Sequence, residues 1–237
     1  MHCLLVCLFV SCAMAQSLCS QQGNDKPATA PAPAAAAAQQ PAPQLRARPA
    51  DQKALFTLFA RTPGFEATYE EEKHLALLAV PLKSAGRLVF LPPGYLARMV
   101  ETPEKSTLRI TADELRVADR DGTEVIDLKR SDKLRVFVTS LVQVFAGNEA
   151  VLQKSFTVEY SLDAKNDRAW TLTLKPKGKP LDQMLKALVL HGEGEAVQRI
   201  EVEDPNGDRT VTRIVKGDVA RVFTAEEKQR WFGIEPK

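Results

Sequence analysis

The sequence predicts a mainly β domain, with one large antiparallel sheet or barrel and a few covering helices. Three observations carry this prediction. Apolar residues recur at every second position in a series of short runs between residues 65 and 215, the alternation of half-buried strands. Turn signals separate these runs at intervals of roughly ten residues. The three-and-four spacing of a helix occurs only in a mid-chain segment and in short pieces at either end of the folded part. Strands and helices do not alternate, which argues against a doubly wound parallel sheet.

Ahead of the sheet come two segments of a different character. Residues 4–10 are an apolar run and Ala13-Met14-Ala15 is a small-x-small cleavage site, so residues 1–15 read as a signal peptide. Only His2 precedes the run where positive charges are usual. Residues 16–50 are rich in Ala, Pro and Gln, a composition that breaks helices and cannot bury a core; they read as a disordered, semi-extended linker. The folded domain spans 51–237. All four cysteines, Cys3, Cys7, Cys12 and Cys19, lie ahead of it, so it has no disulfide and no thiolate metal site. Leu8-Phe9-Val10-Ser11-Cys12 loosely resembles a bacterial lipobox. That leaves a second reading open, in which acylated Cys12 anchors the chain and the linker is a tether.

The elements follow in order. Asp51 is an N-cap for a short helix whose Leu55, Phe56, Leu58 and Phe59 share one side, ended by Thr62-Pro63-Gly64. In the first strand Phe65, Ala67 and Tyr69 alternate with Glu66, Thr68 and Glu70. Residues 74–82 are mostly apolar, either a strand extension or a loop. Strands over 87–91, 95–100, 107–111, 114–118 and 123–128 follow, with Pro92-Pro93-Gly94 and Asp119-Arg120-Asp121-Gly122 as turns. Leu134, Phe137, Val138, Leu141, Val142 and Phe145 then predict an amphipathic helix over 131–146, closed by Gly147-Asn148. Val151-Leu152 leads into strands over 156–162, 170–174, 185–190, 197–203 and 209–215. Thr224 with Glu227 forms a capping box for a last helix over 225–232.

Composition and motifs exclude much. A net charge of +2 with 26% charged residues is not the concentrated basic patch of a nucleic-acid binder. Downstream of residue 20 no apolar run is long enough to span a bilayer. The folded part has two histidines, His74 and His191, and no metal-ligand spacing, so both read as chance residues. Glu70-Glu71-Glu72 reads as a solvated charge run. Asp204-Pro205-Asn206-Gly207-Asp208 lacks the second half of a calcium loop and reads as a turn. The expectation is a protein with no cofactor that is not an enzyme. The apolar face of the sheet needs a cover. A core packed under helices provides one; a curved sheet too large for its helices leaves a cavity. Periodicity does not separate the two.

One group of motifs narrows this. Phe65-x-Ala67-x-Tyr69, Leu82-x-Ser84-x-Gly86-x-Leu88-x-Phe90-x-x-Pro93-x-x-Leu96, Thr102-Pro103 and Leu108-x-Ile110 resemble the opening of the LolA family of periplasmic outer-membrane lipoprotein carriers. The mid-chain helix ending in Ala146-Gly147-Asn148 continues the resemblance. So do Ala169-Trp170-Thr171-Leu172-Thr173-Leu174-x-Pro176 and Ile200-x-Val202-x-Asp204-x-x-Gly207-Asp208-x-Thr210. The resemblance covers residues 52–216 and is nearest to a divergent LolA-related branch. It implies an incomplete, strongly curved antiparallel β-barrel with a helical lid over a hydrophobic cavity. It also implies a periplasmic carrier, or chaperone, binding acyl chains of lipoproteins or another amphiphilic lipid for transfer to the outer membrane. An inner-membrane loading complex and an outer-membrane acceptor would be its partners, and it would act as a monomer.

The alternatives are a LolB-like acceptor anchored through Cys12 and a protein-interaction module without a lipid cavity. On the carrier reading the cavity-lining residues are Phe65, Tyr69, Leu88, Phe90, Leu115, Trp170 and Leu172, with Phe137, Leu141 and Phe145 from the lid. The best-known carriers hold the lid shut with an Arg directly before the Pro that ends the second strand. Pro92 stands there in this chain and offers no donor; Arg98 is the candidate substitute.

Overall fold

A computed structural model describes residues 48–235. The signal-peptide, lipobox and most of the linker expectations lie outside the described residues. Among the described residues four α-helices accompany eleven strands: α1 Gln52–Arg61, β1 Phe65–His74, β2 Leu82–Leu91, β3 Tyr95–Thr102, β4 Ser106–Ile110, β5 Glu114–Asp119 and β6 Gly122–Asp127 form the first part. Then come α2 Asp132–Phe145, α3 Glu149–Ser155, β7 Phe156–Leu162, β8 Ala169–Pro176, β9 Ala187–Glu193, β10 Ala196–Glu203, β11 Arg209–Asp218 and α4 Ala225–Phe232.

All strands join one antiparallel sheet in the order β6-β5-β4-β3-β2-β1-β11-β10-β9-β8-β7. Two meanders, β1–β6 and β7–β11, are thus sewn together by the pairing of β1 with β11. The edges β6 and β7 do not pair, so the barrel stays open. Laid flat, eleven strands would span about 48 Å. Yet Leu115 on β5, Phe156 on β7 and Leu172 on β8 belong to one buried cluster, which requires the sheet to curl.

The inner side of the curl receives α1, α2 and α3. Asp51 caps α1 by accepting from the Ala54 N–H at 2.8 Å, and Leu55 and Phe56 are buried. Helix α2 turns Leu134, Phe137, Val138, Leu141 and Val142 into the core. At its end Gly147 has φ +68°, and a Cβ there would lie 2.4 Å from the Ala60 nitrogen, so only glycine lets α1 approach so closely. The outer side carries α4 over β2–β4, where Phe223 and Phe232 pack on Val89 and Ala97. The capping box is present: Thr224 Oγ1 accepts from the Glu227 N–H and Glu227 accepts from the Thr224 N–H.

Two details correct the sequence reading, and one settles an alternative it left open. Val151 and Leu152 do not merely lead into a strand; they lie on α3, a seven-residue helix whose N-cap Asn148 accepts from the Val151 N–H. So short a helix shows no full period in sequence. Residues 75–81 are a loop, not an extension of β1. Glu70-Glu71-Glu72 is not uniformly solvated: alternation along β1 turns Glu71 inward, where it is 4% exposed.

Candidate functional site

A cavity of about 600 Å³ lies between α1 and the middle of the sheet. Leu58 and Phe59 of α1 form one wall. Phe65 and Ala67 of β1, Leu88 of β2, Val197 and Ile200 of β10 and Ile214 of β11 form the floor, and Phe145 from the end of α2 closes one side. Three phenylalanines brace that side. Phe65 stacks on Phe90 with ring centroids 5.5 Å apart and meets Phe145 at 5.3 Å. Arg61, Glu66, Glu195, Lys216 and Asp218 also border the cavity, so an apolar body meets a charged rim. That is the lining expected for an amphiphile rather than a fully polar metabolite.

Backbone irregularities sit beside this space. In the β1–β11 ladder Tyr69 faces Ile214 and Thr68 faces Lys216, leaving Val215 as an extra residue. In the β9–β10 ladder Gln198 is extra in the same way. Both bulged residues border the cavity. A bulge bends its strand and sharpens the local twist, and two of them on neighbouring strands bend the floor where the helices leave it uncovered.

Further along the inner face of β1 the lining turns polar. Glu71 accepts from Arg98 Nη2 at 2.7 Å, from Thr212 Oγ1 at 2.8 Å and from Ser84 Oγ at 3.3 Å. The Arg98 guanidinium lies over the Tyr69 ring, 5.0 Å from its centre. Burial pushes the Tyr69 phenol up to about 12, against the opposing pull of Arg98. This cluster ties β1, β2, β3 and β11 together at the inner face.

The expected site residues thus divide. Phe65, Leu88 and Phe145 meet at the cavity. Phe90 is fully buried behind Phe65. Tyr69 lies under Arg98. Leu115, Trp170, Leu172, Phe137 and Leu141 are buried in the core packed between sheet and helices. Arg98 bonds to Glu71 and stacks on Tyr69, so these contacts tie β3 to β1 and not the sheet to the lid. Pro92 lies in the β2–β3 turn, whose Gly94 comes against Val142 of α2; a Cβ on Gly94 would be 3.7 Å from Val142 Cγ1. Leu58, Phe59, Ala67, Val197, Ile200 and Ile214 line the cavity but were not among the residues expected to line it. Phe59 carried a signal, being on the apolar side of α1. The positions beside the bulges carried none, because a bulge shifts the alternation that would reveal them.

An open antiparallel sheet wrapped around helices, with an apolar cavity between them, defines a binding scaffold. The particular family follows from the sequence: residues 45–232 match the family model described as outer membrane lipoprotein carrier protein LolA-like, and the chain belongs to that family. No curated protein matches the chain at a significant level. Solved structures of similar shape include a DUF1329 family protein from Desulfovibrio piger, 11% identical with a TM-score of 0.46, covering 76% of this chain and 94% of that one. A LolA superfamily protein from Nitrosomonas europaea is 11% identical with a TM-score of 0.40, covering 74% and 96%. The MucA/MucB complex of Pseudomonas aeruginosa includes a chain that is 11% identical with a TM-score of 0.40, covering 75% and 60%.

Proposed function

We propose that this protein is a non-enzymatic periplasmic carrier that shields acyl chains of a lipoprotein, or of another amphiphilic lipid, in the cavity between α1 and strands β1, β10 and β11. The observation that carries the reading is the apolar space of about 600 Å³ inside a LolA-like sheet, bordered by charged residues. Each methylene buried there gains about 0.8 kcal/mol. The charged rim receives the polar end of the cargo. Loading and release need partners that offer the acyl chain a worse or a better site: an inner-membrane complex on one side, an outer-membrane acceptor on the other. The carrier works as a monomer, since the cavity is lined by one chain and needs no second copy to complete it.

The test is lipid content. Protein purified from a bacterial host is extracted and analysed by mass spectrometry for co-purifying acyl lipids. Ile214→Trp and, on the neighbouring strand, Val197→Trp place an indole in the cavity and are expected to lower the bound lipid at least tenfold while the circular dichroism spectrum is kept. Wild-type protein free of lipid, or filled variants that retain the wild-type complement, would overturn the reading.

A further inference from the structure

Among the described residues the most exposed large apolar side chain is not at the cavity but at the far end of β1. Residues 75–82 read Leu-Ala-Leu-Leu-Ala-Val-Pro-Leu, without one charged or hydrogen-bonding side chain. Leu77 is 96% exposed, Val80 71% and Leu78 46%. The loop has internal support. The Ala76 N–H donates to Asp208 Oδ1 at 2.9 Å, and the Leu78 N–H to the Leu75 carbonyl at 3.0 Å. Its leucines therefore project from a braced turn between β1 and β2.

We propose that this tip is a membrane-docking element that inserts its aliphatic side chains into the surface of a bilayer containing anionic phospholipid. Three observations select a bilayer over a protein partner. The tip is aliphatic throughout, whereas protein interfaces draw their binding energy from Trp, Tyr and Arg anchors. It offers a handful of side chains, against the roughly 20–30 residues a side of a stable protein interface. The strands behind it carry cations: Lys83 and Arg213, each more than half exposed, share the one carboxylate of Glu72. Cations at that depth face anionic headgroups when the leucines enter the acyl boundary, the arrangement of an interfacial anchor.

The tip goes beyond the cavity reading and does not depend on it. Strand β1 runs from Phe65 at the cavity to His74 at the tip, ten residues or about 30 Å. A docked molecule therefore holds its cavity rim away from the bilayer that the tip enters, and docking and cargo exchange use opposite ends.

The full chain carrying Leu77→Trp is mixed with vesicles of brominated phosphatidylglycerol, and the same substitution at Val125, exposed on the edge strand β6, serves as the control. The expected result is strong quenching at position 77 and little at 125, weaker with brominated phosphatidylcholine. In flotation with phosphatidylglycerol vesicles, Leu77→Asp/Leu78→Asp is expected to lower the fraction that floats with the vesicles at least fivefold; both positions are exposed, so the fold is kept. Equal quenching at the two positions, or none at position 77, overturns the proposal. So does an unchanged interaction in the double aspartate variant. None of these readouts uses lipid held in the cavity, so failure here is distinguishable from failure of the carrier reading.

Discussion

Replacing Glu71 by Ala removes one half of an ion pair that the sheet has taken out of water. The side chains of Glu71 and Arg98 are 3% and 6% exposed, and their contact is 2.7 Å. The pair contributes little net stability when whole, because desolvation offsets the attraction. Breaking it strands the guanidinium without its carboxylate, which costs about 3–5 kcal/mol. Thr212 and Ser84 lose an acceptor at the same time. For a domain of this size each kcal/mol lowers Tm by about 2–4 °C, so Glu71→Ala is expected to melt roughly 6–20 °C below wild type. Urea unfolding followed by tryptophan fluorescence measures the same loss as a shift in midpoint at constant slope. The decisive companion is Glu71→Leu/Arg98→Met. With both charges replaced by apolar groups of similar size, most of the loss is expected to be recovered, short of the cost of leaving the Thr212 and Ser84 hydroxyls without their acceptor. If the single variant loses less than about 1 kcal/mol, or the double variant is as damaged as the single, the account of this cluster is wrong.

Two further predictions rest on other parts of the sheet. A Cβ at Gly192 would lie 1.9 Å from the Trp170 ring, whose Nε1–H is held by the Gly194 carbonyl at 2.9 Å. Gly192→Ala is therefore expected to destabilise by about 1–3 kcal/mol, with a red shift in tryptophan emission as the ring is displaced; an unshifted spectrum with unchanged stability contradicts the packing. On the outer face His191 lies 3.3 Å from Glu201, yet burial and the Arg199 guanidinium pull its pKa below the usual histidine value. The unfolded chain then takes up the proton more readily, so stability is expected to fall as pH drops from about 6.5 towards the folded pKa and to level off below it. His191→Gln should flatten that part of the stability profile, measured by urea titration at a series of pH values. A profile with the same slope in the variant would assign it to other groups.

The sheet was legible because its signal is local. Phe65, Ala67 and Tyr69 alternate with polar residues, and Asp119 to Gly122 closes a tight hairpin that the ladder confirms by pairing these two residues. The caps were legible for the same reason: Asp51, Thr224 and Glu227 act on backbone groups within three residues of themselves. Helix α3 was missed because seven residues hold too little of a helical period.

The site was legible only in part. Phe65 and Leu88 point inward by alternation and Phe145 sits on the apolar side of α2; the pattern together with the family resemblance singled them out, and all three border the cavity. Trp170, Leu172 and Leu115 carry the same pattern but are buried in the core, where the Phe59 ring of α1 meets Trp170 at 6.3 Å. Glu71 shows the converse. In sequence it is the middle of an acidic run; its burial depends on Arg98 and on Thr212, 141 residues away.

The sequence by itself determined which residues face inward, where strands turn and how helices begin, since each depends on neighbours a few positions apart. Tertiary structure alone decided where the inner face is packed and where it is empty, because that depends on how far α1, α2 and α3 reach across a sheet assembled from both halves of the chain. It also decided that, among the described residues, the apolar run at 75–82 stands in the open at the far end of β1.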